Sequence, residues 1–214
     1  MFYHHTYASD RAYLLTSSNK FFYTTNGGKK WFSLEGPLVP NTFGAPVLSF
    51  HPNSDNLLWN GNNGCTGLGE NCHGEAYYSR DNGRNWRLVE TYVRNCAWAR
   101  DADLKIDATQ ILCESYKNKQ GSQRFFGNEN PLELVSGTGF FSKKTKLFDH
   151  VVGFAKFSEY LVVAEVSTIA LNTSLLVHVL HRKSVLTIAS SSGTSSLIGW
   201  AHVFIWEISP KHAP

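Results

Sequence analysis

Charge is scarce in this sequence. Asp, Glu, Lys and Arg make up 17% of its 214 residues, and 20 basic residues nearly balance 17 acidic ones. A net charge of +3 argues against a dedicated nucleic-acid binder, whose basic residues gather on one face. The densest basic run, Lys143-Lys144-Thr145-Lys146, is short and reads as a solvated turn. Long hydrophobic runs are missing too. The longest, Ser196 to Ile208, holds a His and a Glu and falls short of the ~20 residues of a membrane helix. The opening Met1-Phe2-Tyr3-His4-His5 has neither a charged nor a continuous apolar leader, so no signal peptide is expected. No stretch of a dozen residues keeps a helical period. There is no CxxC pair, Gly-x-Ser-x-Gly elbow, phosphate loop or dinucleotide fingerprint, and no cofactor is expected.

What is present is aromatic and β-branched. Apolar residues reach 42% and aromatic ones 14%. Between residues 12 and 166 they fall into short runs: Ala12–Thr16, Lys20–Thr25, Val47–Phe50, Asn56–Asn60, Glu75–Ser79, Arg87–Glu90, Gln110–Ser115, Glu133–Val135, Gly139–Ser142, His150–Phe154 and Tyr160–Val166. Clusters of Gly, Asn, Asp, Pro and Ser separate most of them, as turns separate strands. Many short strands predict an all-β sandwich, barrel or propeller.

An internal repeat selects the propeller. Phe22-Tyr23-Thr24-Thr25-Asn26-Gly27-Gly28-Lys29-Lys30-Trp31 aligns with Tyr77-Tyr78-Ser79-Arg80-Asp81-Asn82-Gly83-Arg84-Asn85-Trp86, at an offset of 55 residues. Repeats of about 40–55 residues match a four-stranded blade. The second copy is an Asp-box, and Thr24, Asn26, Gly28 and Trp31 align with its Ser79, Asp81, Gly83 and Trp86. Its chemistry is structural. The Asp, or Asn26 in the first copy, accepts hydrogen bonds from turn N–H groups. The Gly supplies a positive φ or a close approach, and the Trp plugs the space between sheets. A weaker third copy, Phe140-Phe141-Ser142-Lys143-Lys144, keeps the aromatic pair and the Ser.

The four cysteines, 65, 72, 96 and 113, allow three pairings. Cys65 and Cys72 bracket a Gly- and Asn-rich loop, and Cys96 and Cys113 sit at the ends of two strand-like runs. The favoured pairing is therefore Cys65–Cys72 with Cys96–Cys113, which implies an oxidising compartment.

Several segments resemble the Vps10/sortilin family of sorting receptors, its fungal vacuolar members above all. They are Ala45–Pro52 with Leu58-Trp59-Asn60-Gly61, Cys72 through the Asp-box to Trp98, Ile111–Tyr116, and Phe140–Lys144 with Val152–Phe157. The resemblance implies a piece of a ten-bladed lumenal propeller, about three blades here, in a Golgi-to-endosome receptor. Its partners would be protein or peptide cargo, vacuolar hydrolases among them. No catalysis, nucleic acid or membrane span is implied for this chain. Residues 1–166 are expected to form the partial propeller. The resemblance ends near Glu165, so residues 167–214 are expected to be a non-matching tail, disordered or misassembled, of a truncated gene product. Open blade faces would leave Trp31, Trp86 and Phe140-Phe141 partly exposed.

His178-Val-Leu-His181 has no carboxylate between its histidines and reads as a packing or surface pair rather than a metal site. His51 and His73 flank the first cysteine loop and read as surface histidines, with acid titration the sharper alternative. Asp-boxes also occur in sialidases, where a Tyr nucleophile pairs with a Glu. Tyr92, Glu90 and Arg94 are the only candidates here, without the further arginines that such an enzyme needs. Asn172-Thr173-Ser174 is the one glycosylation sequon.

Overall fold

A computed structural model describes residues 1–41, 46–65, 71–99, 109–120, 131–139, 141, 143–157, 160–169, 172–181 and 184–191. It is all-β, without a helix among the described residues. Two compact units are present: residues 1–100 with 106–147, and residues 101–105 with 148–214.

The first unit carries the blades. Strands β1 (Phe2–His4), β2 (Ala12–Leu15), β3 (Lys20–Thr24) and β4 (Phe32–Glu35) form a four-stranded antiparallel meander. The second blade is β6 (Leu48–Phe50), β7 (Leu57–Asn63), β8 (His73–Ser79) and β9 (Arg87–Thr91), with two-residue β5 (Val39–Pro40) also paired to β7. The third comprises β10 (Val93–Trp98), β11 (Gln110–Tyr116), β12 (Leu132–Thr138) and the first residues of β13 (Lys144–Phe157). This is the partial propeller that the repeat predicts.

Strand β7 shows why the blades read as short apolar runs. Neighbouring residues on a strand point to opposite faces, and here both faces are covered. Leu57 and Trp59 enter one core with Tyr13, Leu15, Phe21, Tyr23, Val47, Leu48 and Phe50. Leu58 enters the other with Tyr78, Val89, Val93, Trp98, Ile111, Val135 and Phe141. Each core thus lies between consecutive blades. Full burial of one such side chain contributes roughly 1.5–3 kcal/mol, so the blades are stabilised mainly by each other.

Buried Asn60 joins two blades by hydrogen bonding. Its Oδ1 accepts from Cys96 N at 2.8 Å, and its Nδ2 donates to Pro46 O at 2.8 Å and Cys96 O at 3.1 Å. One side chain thereby pairs the N–H and C=O of β10, where an unpaired buried group is costly.

The run Gly139–Ser142 is not a strand. Gly139 and Phe141 take φ +57° and +59° in the turn between β12 and β13, while Phe140 and Ser142 lie outside the described residues. Phe141 is 5% exposed, so its expected exposure is corrected: the ring closes over Gly137.

In the second unit, the remainder of β13 pairs with β14 (Tyr160–Ile169), which pairs with β15 (Asn172–His181), which pairs with β16 (Ser184–Ser191). The sequence after residue 166, expected to lack blade pattern, thus supplies two long strands. Residues 192–214 lie outside the described residues.

Candidate functional site

The two Asp-box hairpins repeat one hydrogen-bond network. Ser79 Oγ donates to Asp81 Oδ1 at 2.9 Å and accepts from Gly83 N at 2.8 Å. Asp81 Oδ1 also accepts from Asn85 N at 2.9 Å. In the first copy Thr24 Oγ1 donates to Asn26 Oδ1 at 3.0 Å and accepts from Gly28 N at 3.0 Å, and Asn26 Oδ1 accepts from Lys30 N at 2.9 Å. Burial pushes the Asp81 carboxyl up, but bonds from Asn85 and Ser79 outweigh it and hold the group below the usual carboxylate range.

The second turn is docked on the first blade. Tyr13 OH donates to Asn82 Oδ1 at 3.1 Å, and Arg84 Nη2 donates to Tyr23 OH at 3.1 Å. A Cβ on Gly83, at φ +87°, would lie 2.8 Å from the Phe21 ring. Trp86 meets Trp59 edge-on at 5.8 Å. Trp31, at the same place in the first box, is 41% exposed beside Phe32 at 39%. The expected plug is therefore seen at Trp86 and not at Trp31.

Both favoured disulfides are present, Cys65–Cys72 and Cys96–Cys113. The first closes the loop between β7 and β8. The second joins directly opposed residues of β10 and β11.

Polar groups gather around the first disulfide. His73 Nε2 lies 2.9 Å from Glu75 Oε1, which also accepts from Asn63 Nδ2 at 2.9 Å. Tyr77 OH donates to Glu75 Oε2 at 2.7 Å. Burial would raise the Glu75 carboxyl, and these bonds bring it below its ordinary value. The His73 ring stacks on Tyr92 at 4.2 Å. Arg94 makes a bidentate pair with Glu114, both bonds at 2.8 Å. Glu90, buried, is held by Lys119 at 2.7 Å and by Lys144; the two ammonium groups outweigh its burial and lower its pKa.

These contacts remove the glycosidase arrangement. Tyr92 stacks on His73, Glu90 is paired by lysines and Arg94 by Glu114, so the three are not brought together as nucleophile, base and carboxylate clamp. His178 bonds Glu165 Oε2 and Thr187 Oγ1, each at 2.9 Å, across β14, β15 and β16. The i, i+3 spacing gave no hint of Glu165, because strand pairing and not sequence spacing supplies it. The His181 and Asn172 side chains lie outside the described residues. Among the described residues no cluster of three or more His, Cys, Asp or Glu could hold a metal. No helix among them is long and apolar enough to cross a membrane.

Disulfide-pinned blades with Asp-box hairpins define a partial β-propeller, and comparison narrows the class. The Sortilin-Vps10 family model, described as sortilin, neurotensin receptor 3, matches residues 1–185. The chain belongs to the Sortilin-Vps10 family, one of sorting receptors rather than enzymes. It is 62% identical over 164 residues to the vacuolar protein sorting/targeting protein 10 of Laccaria bicolor, covering 77% of this chain and 11% of that protein. The protein of the same description from Mycosarcoma maydis is 48% identical over 177 residues, 82% of this chain and 12% of its own length. That of Pyrenophora tritici-repentis is 36% identical over 186 residues, with the same two coverages. The chain thus spans about a tenth of these relatives' length. The family match continues twenty residues beyond Glu165, where the resemblance was expected to end.

Proposed function

We propose that this chain is a lumenal, cargo-binding segment of a receptor that sorts vacuolar hydrolases from Golgi to endosome. The observation behind this reading is the match of the disulfide-pinned blades to proteins named for vacuolar sorting and targeting. Residues 1–166 are the cargo-facing propeller segment in this reading. The Asp-box positions Thr24, Asn26, Gly28, Ser79, Asp81, Gly83 and Trp86 hold blade geometry, Trp31 stands exposed beside them, and none of the eight touches cargo. Cargo is a protein or peptide, which is captured by strand edges and loops and released unchanged.

The test is binding of propeptides of vacuolar hydrolases, carboxypeptidase Y first, to the oxidised chain by calorimetry at neutral pH. Saturable binding that survives Trp31→Ala and Asp81→Asn supports the reading. No binding by a folded, fully disulfide-bonded sample overturns it. Hydrolysis of a sialoside by that sample, abolished in Tyr92→Phe, would restore the glycosidase.

A further inference from the structure

Consecutive blades share a buried histidine that neither the Asp-box nor the disulfides explain. His5 follows β1 and His51 follows β6, each just past the first strand of its blade. Each closes its hairpin through the main chain, His5 N to Arg11 O at 3.0 Å and His51 N to Asn56 O at 3.1 Å. The Nδ1 atom of each ring accepts the backbone N–H two residues on, from Tyr7 and from Asn53, both at 3.1 Å. Each ring then packs on an aromatic side chain of the next blade: His5 on Phe50 at 4.6 Å, His51 on Trp98 at 4.8 Å. The rings are 2% and 5% exposed. In the third blade the same place is held by Ala99, whose N–H bonds Gln110 O at 2.8 Å.

An Nδ1 that accepts a hydrogen bond carries no proton, so both rings are neutral Nε2–H tautomers. We propose that this repeated histidine is an acid-sensitive latch, holding each blade to the next only while its ring is neutral. Protonating Nδ1 breaks the bond from the i+2 amide and places a charge in a site shielded from water, which is costly. Attraction between an imidazolium and the facing aromatic ring is too weak to offset that burial.

For His5 the surrounding charges are on view. Its pKa is lowered to about 4, first by burial and then by Arg11, with His4 adding to the lowering and Asp55 and Asp10 opposing it. The unfolded chain therefore takes up the proton first. Stability is complete above the ordinary histidine value and is lost as pH falls toward about 4. At about pH 5 the folding equilibrium constant should be roughly 20-fold smaller than at neutral pH from this residue alone. His51 shares with His5 the ring contact to the next blade and the bond from the i+2 amide. This latch does not depend on the chain binding cargo.

The experiment is urea unfolding of the full chain at neutral pH and at about pH 5, with His5→Asn, His51→Asn and the double variant. Asn keeps an acceptor near Nδ1 but does not titrate. Each single variant should lose part of the acid sensitivity, and the double variant should lose most of it. An undiminished acid response in the double variant overturns the latch. If the variants do not fold, ¹⁵N NMR of the native protein decides. Neutral Nε2–H rings for His5 and His51 in the folded state at about pH 5.5 support it, and imidazolium signals there reject it.

Discussion

At the residue scale, Trp31 and Trp86 occupy equivalent places in one motif and have different surroundings. Trp86 lies against Trp59, and its turn covers Phe21; Trp31 is exposed. Trp86→Ala should destabilise by about 3 kcal/mol, at the low end for a large-to-small change because the ring is only partly buried. Trp31→Ala should cost within about 0.5 kcal/mol. Urea denaturation of the two variants side by side checks this, and equal losses would mean that the first box is docked as the second is. Asp81→Ala should cost about 1–3 kcal/mol by leaving the Asn85 and Ser79 donors unpaired. The low pKa of this carboxyl adds a sign. Its contribution is present above the ordinary Asp value and disappears as pH falls below it, so the wild-type advantage over Asp81→Ala should vanish in strong acid.

At the scale of elements, the disulfides do different things. Cys96–Cys113 ties the first two strands of one blade across a separation of 17 residues, and closing a loop of that size stabilises by about 3 kcal/mol. Its removal as Cys96→Ala/Cys113→Ala should lower the unfolding midpoint accordingly. Cys65–Cys72 closes a separation of only 7 residues, and the Cys65→Ala/Cys72→Ala pair should cost less. Peptide mapping without reductant should recover both local pairs; a crossed pair would contradict the strand register Cys96↔Cys113. The run Asn56–Asn60 marks β7 without alternation because blades cover both of its faces. The strand β4 was overlooked for the opposite reason: Phe32, Ser33 and Glu35 are exposed, so the run carries no buried pattern to detect.

For the whole molecule, the exposed apolar side chains of the first blade matter most, Phe2 and Leu14 on one face of its sheet and Phe32 on the other. Phe2, Leu14, Trp31 and Phe32 are 63%, 43%, 41% and 39% exposed, and apolar surface of this kind drives association when contiguous. The chain in isolation should self-associate as its concentration rises, measured by sedimentation velocity, and Trp31→Lys/Phe32→Lys should reduce that association. A monodisperse monomer at every concentration would show that this surface is innocuous. Acid should destabilise the molecule in two stages. The His5 contribution is lost first, on the way down to about pH 4. The contributions of Glu75 and Glu90, whose folded pKa values lie below the ordinary one, are lost lower still. A single transition centred below pH 4 would contradict the first stage.

The sequence by itself determined the all-β class, the blade repeat, both disulfide pairs and the family. Each of these is local: a turn motif of ten residues, a short cysteine loop, a run of β-branched and aromatic side chains. Tertiary structure decided what depends on partners distant in sequence. It packed Trp86 against the core between the first two blades and left Trp31 exposed. It turned Glu90 into a lysine-paired strut, and gave His178 a carboxylate from the adjacent strand. It also buried His51, which reads from the sequence as a surface histidine, and His5, which carries no motif. Their common environment arises because each blade's first strand is covered by the next blade. That covering is a contact between residues some forty-five positions apart, and no window short enough to read as a motif contains it.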